Sequence, residues 1–265
     1  MAKLKGLIDF EGTLGGITAY TRNGERILRQ ATGADKKKIL QGKNYVRTRE
    51  NMMEFSGAVA AAKAVRQSLT PVTRTFADTN FTGRLQGKYR DMISTAAGKR
   101  GQRMFNPLQH VNAILAIPFD VKLHLDSILR VKPVITINAE RTAATLSISG
   151  FTPVTDIFSP VGATHLELVY AIAVQPSFEY DPGTKKYKRT DGLNQHYMQT
   201  ISSELIAVDA HEALDISLPA PPIDLPELHA DSALVSVLGV CFHQQIGFKS
   251  YPLETGKAMG FAGVG

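Results

Sequence analysis

The sequence predicts an α+β chain, with an N-terminal β-ribbon and two basic helices ahead of a C-terminal antiparallel β-sandwich. Three observations carry this prediction. Asn23-Gly24 sits between two extended segments, the strongest short-range signal for a hairpin, because both turn positions take positive φ at little cost. A helical period rich in alanine runs through "NYVRTRENMMEFSGAVAAAKAVRQSL". From about residue 115, β-branched runs bounded by Pro, Gly and Asp replace that period. The boundaries that follow are 1–35 for the ribbon, 36–112 for the helical region and 113–265 for the sandwich.

The ribbon comes first. "KLKGLIDFEG" alternates Leu4, Leu7 and Phe10 with polar residues, and "GITAYTR" and "ERILRQ" flank the Asn-Gly turn. Gly15-Gly16 marks a bend or bulge. Two or three strands alone are marginal in water, so the ribbon needs a surface to lie on. "ATGADKKKILQGKN" reads as a loop or arm, and Lys36, Lys37 and Lys38 make it a solvated segment, an anion contact or an intersubunit charge pair.

In the first helix, Met52, Phe55, Val59, Ala62 and Leu69 form the expected apolar face, with Asn44 as N-cap and Pro71 as the stop. Alanines 58, 60, 61, 62 and 64 favour helix and permit close packing. A second helical stretch within 71–97 breaks near "DTNFTG", and "GKRGQR" at 98–103 is a basic loop. Beyond it, strands are expected in "VKPVITINAE", "TAATLSISGF", "HLELVYAIAVQ", "MQTISSELIAV", "ALDISLP", "ALVSVLGVCFHQ" and "KSYPLE". A turn at Asp181-Pro182-Gly183 and a Pro-rich surface connection at 218–231 separate some of them.

Charge is divided along the chain. Residues 1–110 carry 20 Lys+Arg against 8 Asp+Glu, and residues 111–265 carry 10 against 16, within a net charge of +6. Such asymmetry points to a polyanion or to a complementary face on another copy. The cations along the two helices, among them Arg47, Arg49 and Arg66, have three readings: solvation of a helix face, phosphate tracking with Tyr45 and Tyr89 as stacking partners, or pairing with carboxylates of a neighbouring copy.

No nucleotide loop, nucleophile elbow or zinc spacing occurs among the motifs, and "GFAGVG" reads as a tail or a final strand. His211 and His229 lie in acidic turns, solvated or joined in casual metal capture across the two turns. Cys241 stands alone in apolar "LGVCFH", as a buried strand thiol. There is no signal-peptide pattern and no apolar run of membrane-spanning length, so the expectation is cytoplasmic synthesis without membrane insertion, compatible with later release into an extracellular assembly.

The segments "KGLIDFEGTLGGITAY", "RTRENMMEF" and "GKRGQR", with the closing "VLGVCFHQQ…KSYPLETGKAMGFAGV", resemble a family of uncharacterised Bacteroidota proteins. The resemblance implies that ribbon, helices and C-terminal strands belong to one recurring unit, and it implies no catalytic residue.

These features favour a non-enzymatic structural subunit, without cofactor or metal, that self-assembles into a filament, tube or shell. Leu7, Phe10, Ile17 and Tyr20 would pack the ribbon on its acceptor; Arg47, Arg49 and Arg66 would face Glu212, Asp215, Glu227 and Asp231 of another copy. The alternatives are a phage-like capsid or tail-tube component, a nucleic-acid-binding protein using the basic half, and a carbohydrate-binding or hydrolytic sandwich.

Overall fold

The computed structural model describes residues 2–3, 10–31, 34–225 and 227–265; Leu4 and Leu7 lie outside them. Asn23 and Gly24 take φ of 52° and 77°, so the two-residue turn closes as the dipeptide demands. It joins β3 (Ile17–Arg22) to β4 (Glu25–Gln30). With β1 (Ala2–Lys3) and β2 (Gly12–Leu14) they form an antiparallel sheet in the order β1-β4-β3-β2. The lysine segment is helical rather than a loop: α1 (Lys36–Gln41) starts where the Asp35 carboxylate accepts from the Lys37 amide and stops at Gly42.

The chain divides into two units, residues 1–49 and 50–265, and the division falls in the first turn of α2 (Val46–Ser68). This helix leads directly out of a 3-10 turn at Lys43–Tyr45, with no Asn44 cap before it. Its packing face corrects the sequence reading in part. Ala62 and Leu69 are buried as expected, but Met52 and Phe55 are exposed, while Gly57, Ala58, Ala61, Ala64 and Val65 are buried. Small residues win because the opposing surface is close. The Tyr187 ring lies where a Cβ on Gly57 would sit, 2.8 Å from the nearest ring atoms. The second helical stretch is broken as expected, into α3 (Thr70–Phe76) and α4 (Phe81–Thr95).

Short helices α5 (Val111–Leu115) and α6 (Leu125–Ile128) lead into the strands. These are β5 (Val134–Ile137), β6 (Ala144–Phe151), β7 (His165–Gln175) after helix α7 (Pro153–Asp156), and the hairpin β8 (Phe178–Asp181) and β9 (Lys186–Arg189). Then come β10 (Met198–Ser202), β11 (Ile206–Ala207), β12 (Leu214–Pro219), β13 (Ala233–Ile246), β14 (Lys249–Pro252) and β15 (Ala258–Val264). "GFAGVG" is therefore mostly a final strand. One antiparallel sheet runs β10-β7-β13, with β11 on β7 and with β14 and β15 on β13; the other runs β12-β6-β5.

Strand periodicity sorts the core into two. Leu166, Leu168, Tyr170, Ile172 and Val174 of β7 and Leu234, Leu238, Val240 and Phe242 of β13 join Leu146, Ile148 and Leu218 of the second sheet. Ala171, Ala173, Val235 and Val237, the alternate residues, join the helices. The central strands are thus covered on both faces, which is why they read as continuous apolar runs. The cover is partial. In β7 the helix-side residues His165, Glu167 and Val169 are half-buried and Ala171 and Ala173 fully buried, so the helical layer ends near residue 170.

Candidate assembly interface

The residues expected to join copies fall into distinct places. Leu7 lies outside the described residues. Phe10 and Tyr20 are half-buried and Ile17 is exposed. Ile17 and Tyr20 are three apart in β3 and so occupy opposite faces of the sheet. Ile17 shares its face with Leu14, its cross-strand partner, which is also exposed.

Among the cations, Arg49 is already engaged. Its Nη1 donates to the carbonyls of Ile39 (2.8 Å) and Gly42 (2.7 Å), closing the C-terminal end of α1. Arg47 is exposed and Arg66 half-buried. The four carboxylates separate into two clusters. β12 pairs with β6 so that Leu214 faces Phe151 and Pro219 faces Thr145. Glu212 and Asp215 lie at the first end, beside Asp209, with the Asp215 carboxylate accepting from the Gly150 amide at 2.8 Å. Glu227 and Asp231 lie at the other, with Asp224 and Glu140, whose carbonyl accepts from the Leu228 amide. Asp231 also accepts from Asn106 Nδ2 at 3.2 Å. Six strand residues put these ends about 20 Å apart. The same separation divides His211 from His229, so the two turns do not share a metal. Among the described residues no group of three or more His, Cys, Asp and Glu is arranged to hold one.

The basic loop 98–103 proves to be a docking element for α2. Arg100 Nη2 donates to Asn51 Oδ1 (2.8 Å) and its Nε lies 3.7 Å from Glu50 Oε2. The Gly101 amide donates to Glu54 Oε1 (2.8 Å), a buried carboxylate that Arg103 Nη1 approaches to 3.4 Å. "RTRENMMEF" and "GKRGQR" are therefore contact partners, a pairing that separate reading of the two motifs missed. Arg84 is likewise spent, on Asp78 (3.1 Å) and on the Pro118 and Phe119 carbonyls. Tyr89 is fully buried, stacks on Phe105 and donates to Gln175 Oε1, so it offers no face to a base.

By contrast, Arg22, Arg29, Lys36, Lys37, Lys38 and Lys43 of the first unit form no ion pair among the described residues. The structural division redraws the charge pattern. Residues 1–49 hold 11 Lys+Arg against 4 Asp+Glu, a net of +7; residues 50–265 hold 19 against 20, a net of −1.

On the uncovered end of the large sheet, His243 Nε2 meets Glu167 Oε2 at 3.1 Å, in a shallow basin with Ser203, Glu204 and Pro252. Cys241 stands across the strands from Glu167. Burial, with Glu167 adding to it, pushes its thiol up to about 11, so it stays protonated at neutral pH and is no thiolate nucleophile. No helix of the described residues is long and apolar enough to cross a membrane. Comparison with family models, with curated proteins and with solved structures finds no match for this chain.

Proposed function

We propose that this chain is a non-enzymatic structural subunit that self-assembles head to tail, its basic first unit engaging a carboxylate-bearing end of the sandwich of another copy. One observation carries the reading: the whole positive excess resides in the 49-residue first unit, while the larger unit is close to neutral and gathers carboxylates at the two ends of β12. A contact between two different surfaces repeats unless it closes into a ring, which is the logic of filaments, tubes and shells. The first unit's short strands, β1 and β2 at its edges, suit pairing with a further strand.

The test is sedimentation of the full chain over a range of concentration and salt. Assemblies larger than a dimer are expected at low ionic strength, shrinking as salt rises. Lys36→Glu/Lys37→Glu/Lys38→Glu should shift the same protein to monomer. A monomer under every condition overturns the reading.

The unpaired cations of the first unit favour one second reading, a nucleic-acid contact. It predicts that the purified chain binds a labelled oligonucleotide with affinity falling steeply with salt, and that the same triple variant loses that binding. An oligonucleotide bound equally by the variant excludes these lysines from the contact.

A further inference from the structure

The far end of the large sheet carries a feature that neither assembly nor the basic unit uses. β7 stops pairing with β13 at His165 opposite His243, so Gln244, Gln245 and Ile246 run on with only β14 laddered beside them. The result is a projecting hairpin. Its turn is Gly247-Phe248, with Gly247 at φ 61°, a two-residue connection with glycine first, where the positive φ is needed. Phe248 stands there wholly exposed, at 108 %. Ile246 and Tyr251 lie diagonally on one face of the hairpin, and both are exposed.

A second loop joins it. Residues 158–164 lead into β7 beside the end of β13, held by Thr164 N to the His243 carbonyl (2.9 Å) and by Gln245 N to Thr164 Oγ1 (2.8 Å). Val161 in this loop is wholly exposed, at 103 %. Two separate loops thus present bare apolar side chains at one end of the sandwich, where single scattered residues would be unremarked.

We propose that this tip inserts into the interfacial region of a lipid bilayer. Phe248, Ile246, Tyr251 and Val161 project beyond the shallow basin that Ser250 and Pro252 line with Glu167, His243 and Glu204. Residues 157–164 carry no charge and residues 244–252 carry only Lys249, so no carboxylate of either loop opposes a phospholipid headgroup. Tyr251 and Lys249 flank the apolar residues, the pairing of polar-ended side chains that anchors at a headgroup boundary. A second copy is the poorer occupant. Two projecting tips bury little of each other, and across a twofold axis Lys249 would meet its own kind with no acid in either loop to pair it.

The chain contains no tryptophan, so Phe248→Trp supplies a single reporter at the tip. Uncharged phosphatidylcholine vesicles at physiological ionic strength keep the basic first unit from dominating. The expected result is a blue shift of the Trp emission on adding vesicles, with quenching by bromines placed on the acyl chains. Flotation of the unlabelled protein with the same vesicles should fall at least about tenfold in Phe248→Ser, and further when Val161→Ser is added. Emission that stays at its solvent-exposed position with vesicles overturns the proposal. So does a blue shift that appears without vesicles as protein concentration rises, which would assign the tip to a copy–copy contact. The readout is local to residue 248, so either outcome leaves the charge-based assembly test standing.

Discussion

At the scale of single residues, the same substitution should have opposite effects at two glycines, and the reason lies in their surroundings. Gly101 takes φ 85°, and a Cβ there would lie 3.1 Å from the Glu50 Cα, in the joint between the basic loop and α2. Gly101→Ala must strain the backbone or lift the loop from Glu54, at a cost of roughly 1–3 kcal/mol. Gly87, within α4, has nothing within 4 Å of such a Cβ and no left-handed φ. Gly87→Ala should stabilise by about 0.5–1 kcal/mol through helix propensity alone. Thermal unfolding of the two variants checks this, each kcal/mol moving Tm by about 2–4 °C in a chain of this size. A Tm for Gly101→Ala equal to that of the parent would mean the loop is not clamped. The sequence displays both glycines identically, because the strain at 101 comes from a helix about fifty residues away.

At the scale of elements, strands were more legible than helix faces. β7 and β13 announce themselves as β-branched runs, and their burial on both faces accounts for the weak alternation. The Asn23-Gly24 hairpin is local chemistry and reads directly. The α2 face was only partly legible: Ala62 and Leu69 are buried as their spacing predicts, but the usual guide, large apolar residues inward, also selects Met52 and Phe55, which are exposed. Close approach of Tyr187 reverses the rule, and only the tertiary fold holds that information. The segment between α4 and the sandwich hides another feature. His110 ends the 3-10 turn Pro107–His110 and stacks on Phe105, its Nε2 buried and without a hydrogen-bond partner among the described residues. Burial lowers its pKa below the ordinary 6.5. His196 is also lowered, by burial first and then by Arg189 and Lys63. In both cases the unfolded chain takes up the proton at higher pH than the folded one. Stability is therefore fully present above about pH 6.5 and declines as pH falls through the folded values. Urea midpoints should drop between pH 7 and pH 5, and His110→Leu should lessen the drop. An unchanged slope in that variant would place the pH dependence elsewhere.

At the scale of the whole molecule, charge along the sequence was legible but its address was not. Dividing the chain at residue 110 groups the first unit with helices whose Glu50, Glu54, Asp78 and Asp91 engage Arg100, Arg103, Arg84 and Arg90, while residues 50–110 still hold 9 Lys+Arg against 4 Asp+Glu and are offset by the acidic strands that follow. Dividing it at residue 49, where the contacts divide it, leaves +7 on the small unit. The four carboxylates expected to meet the cations lie in two clusters, at opposite ends of β12. Head-to-tail assembly then makes a prediction that a symmetric contact does not. A chain with a dead front, Lys36→Glu/Lys37→Glu/Lys38→Glu, retains its acceptor end. A chain with a dead back, Asp224→Lys/Glu227→Lys, retains its basic unit; both of these carboxylates are exposed. Each variant alone should be monomeric, near 28.8 kDa. Mixed, the intact front of one meets the intact back of the other, and growth stops there because both outer ends are dead. Light scattering should report a dimer from the mixture and larger species only from the parent. Polymers from the dead-back variant alone would move the acceptor to the Glu212 and Asp215 end, whereas a mixture that stays monomeric beside a polymerising parent would remove the first unit from the joint altogether.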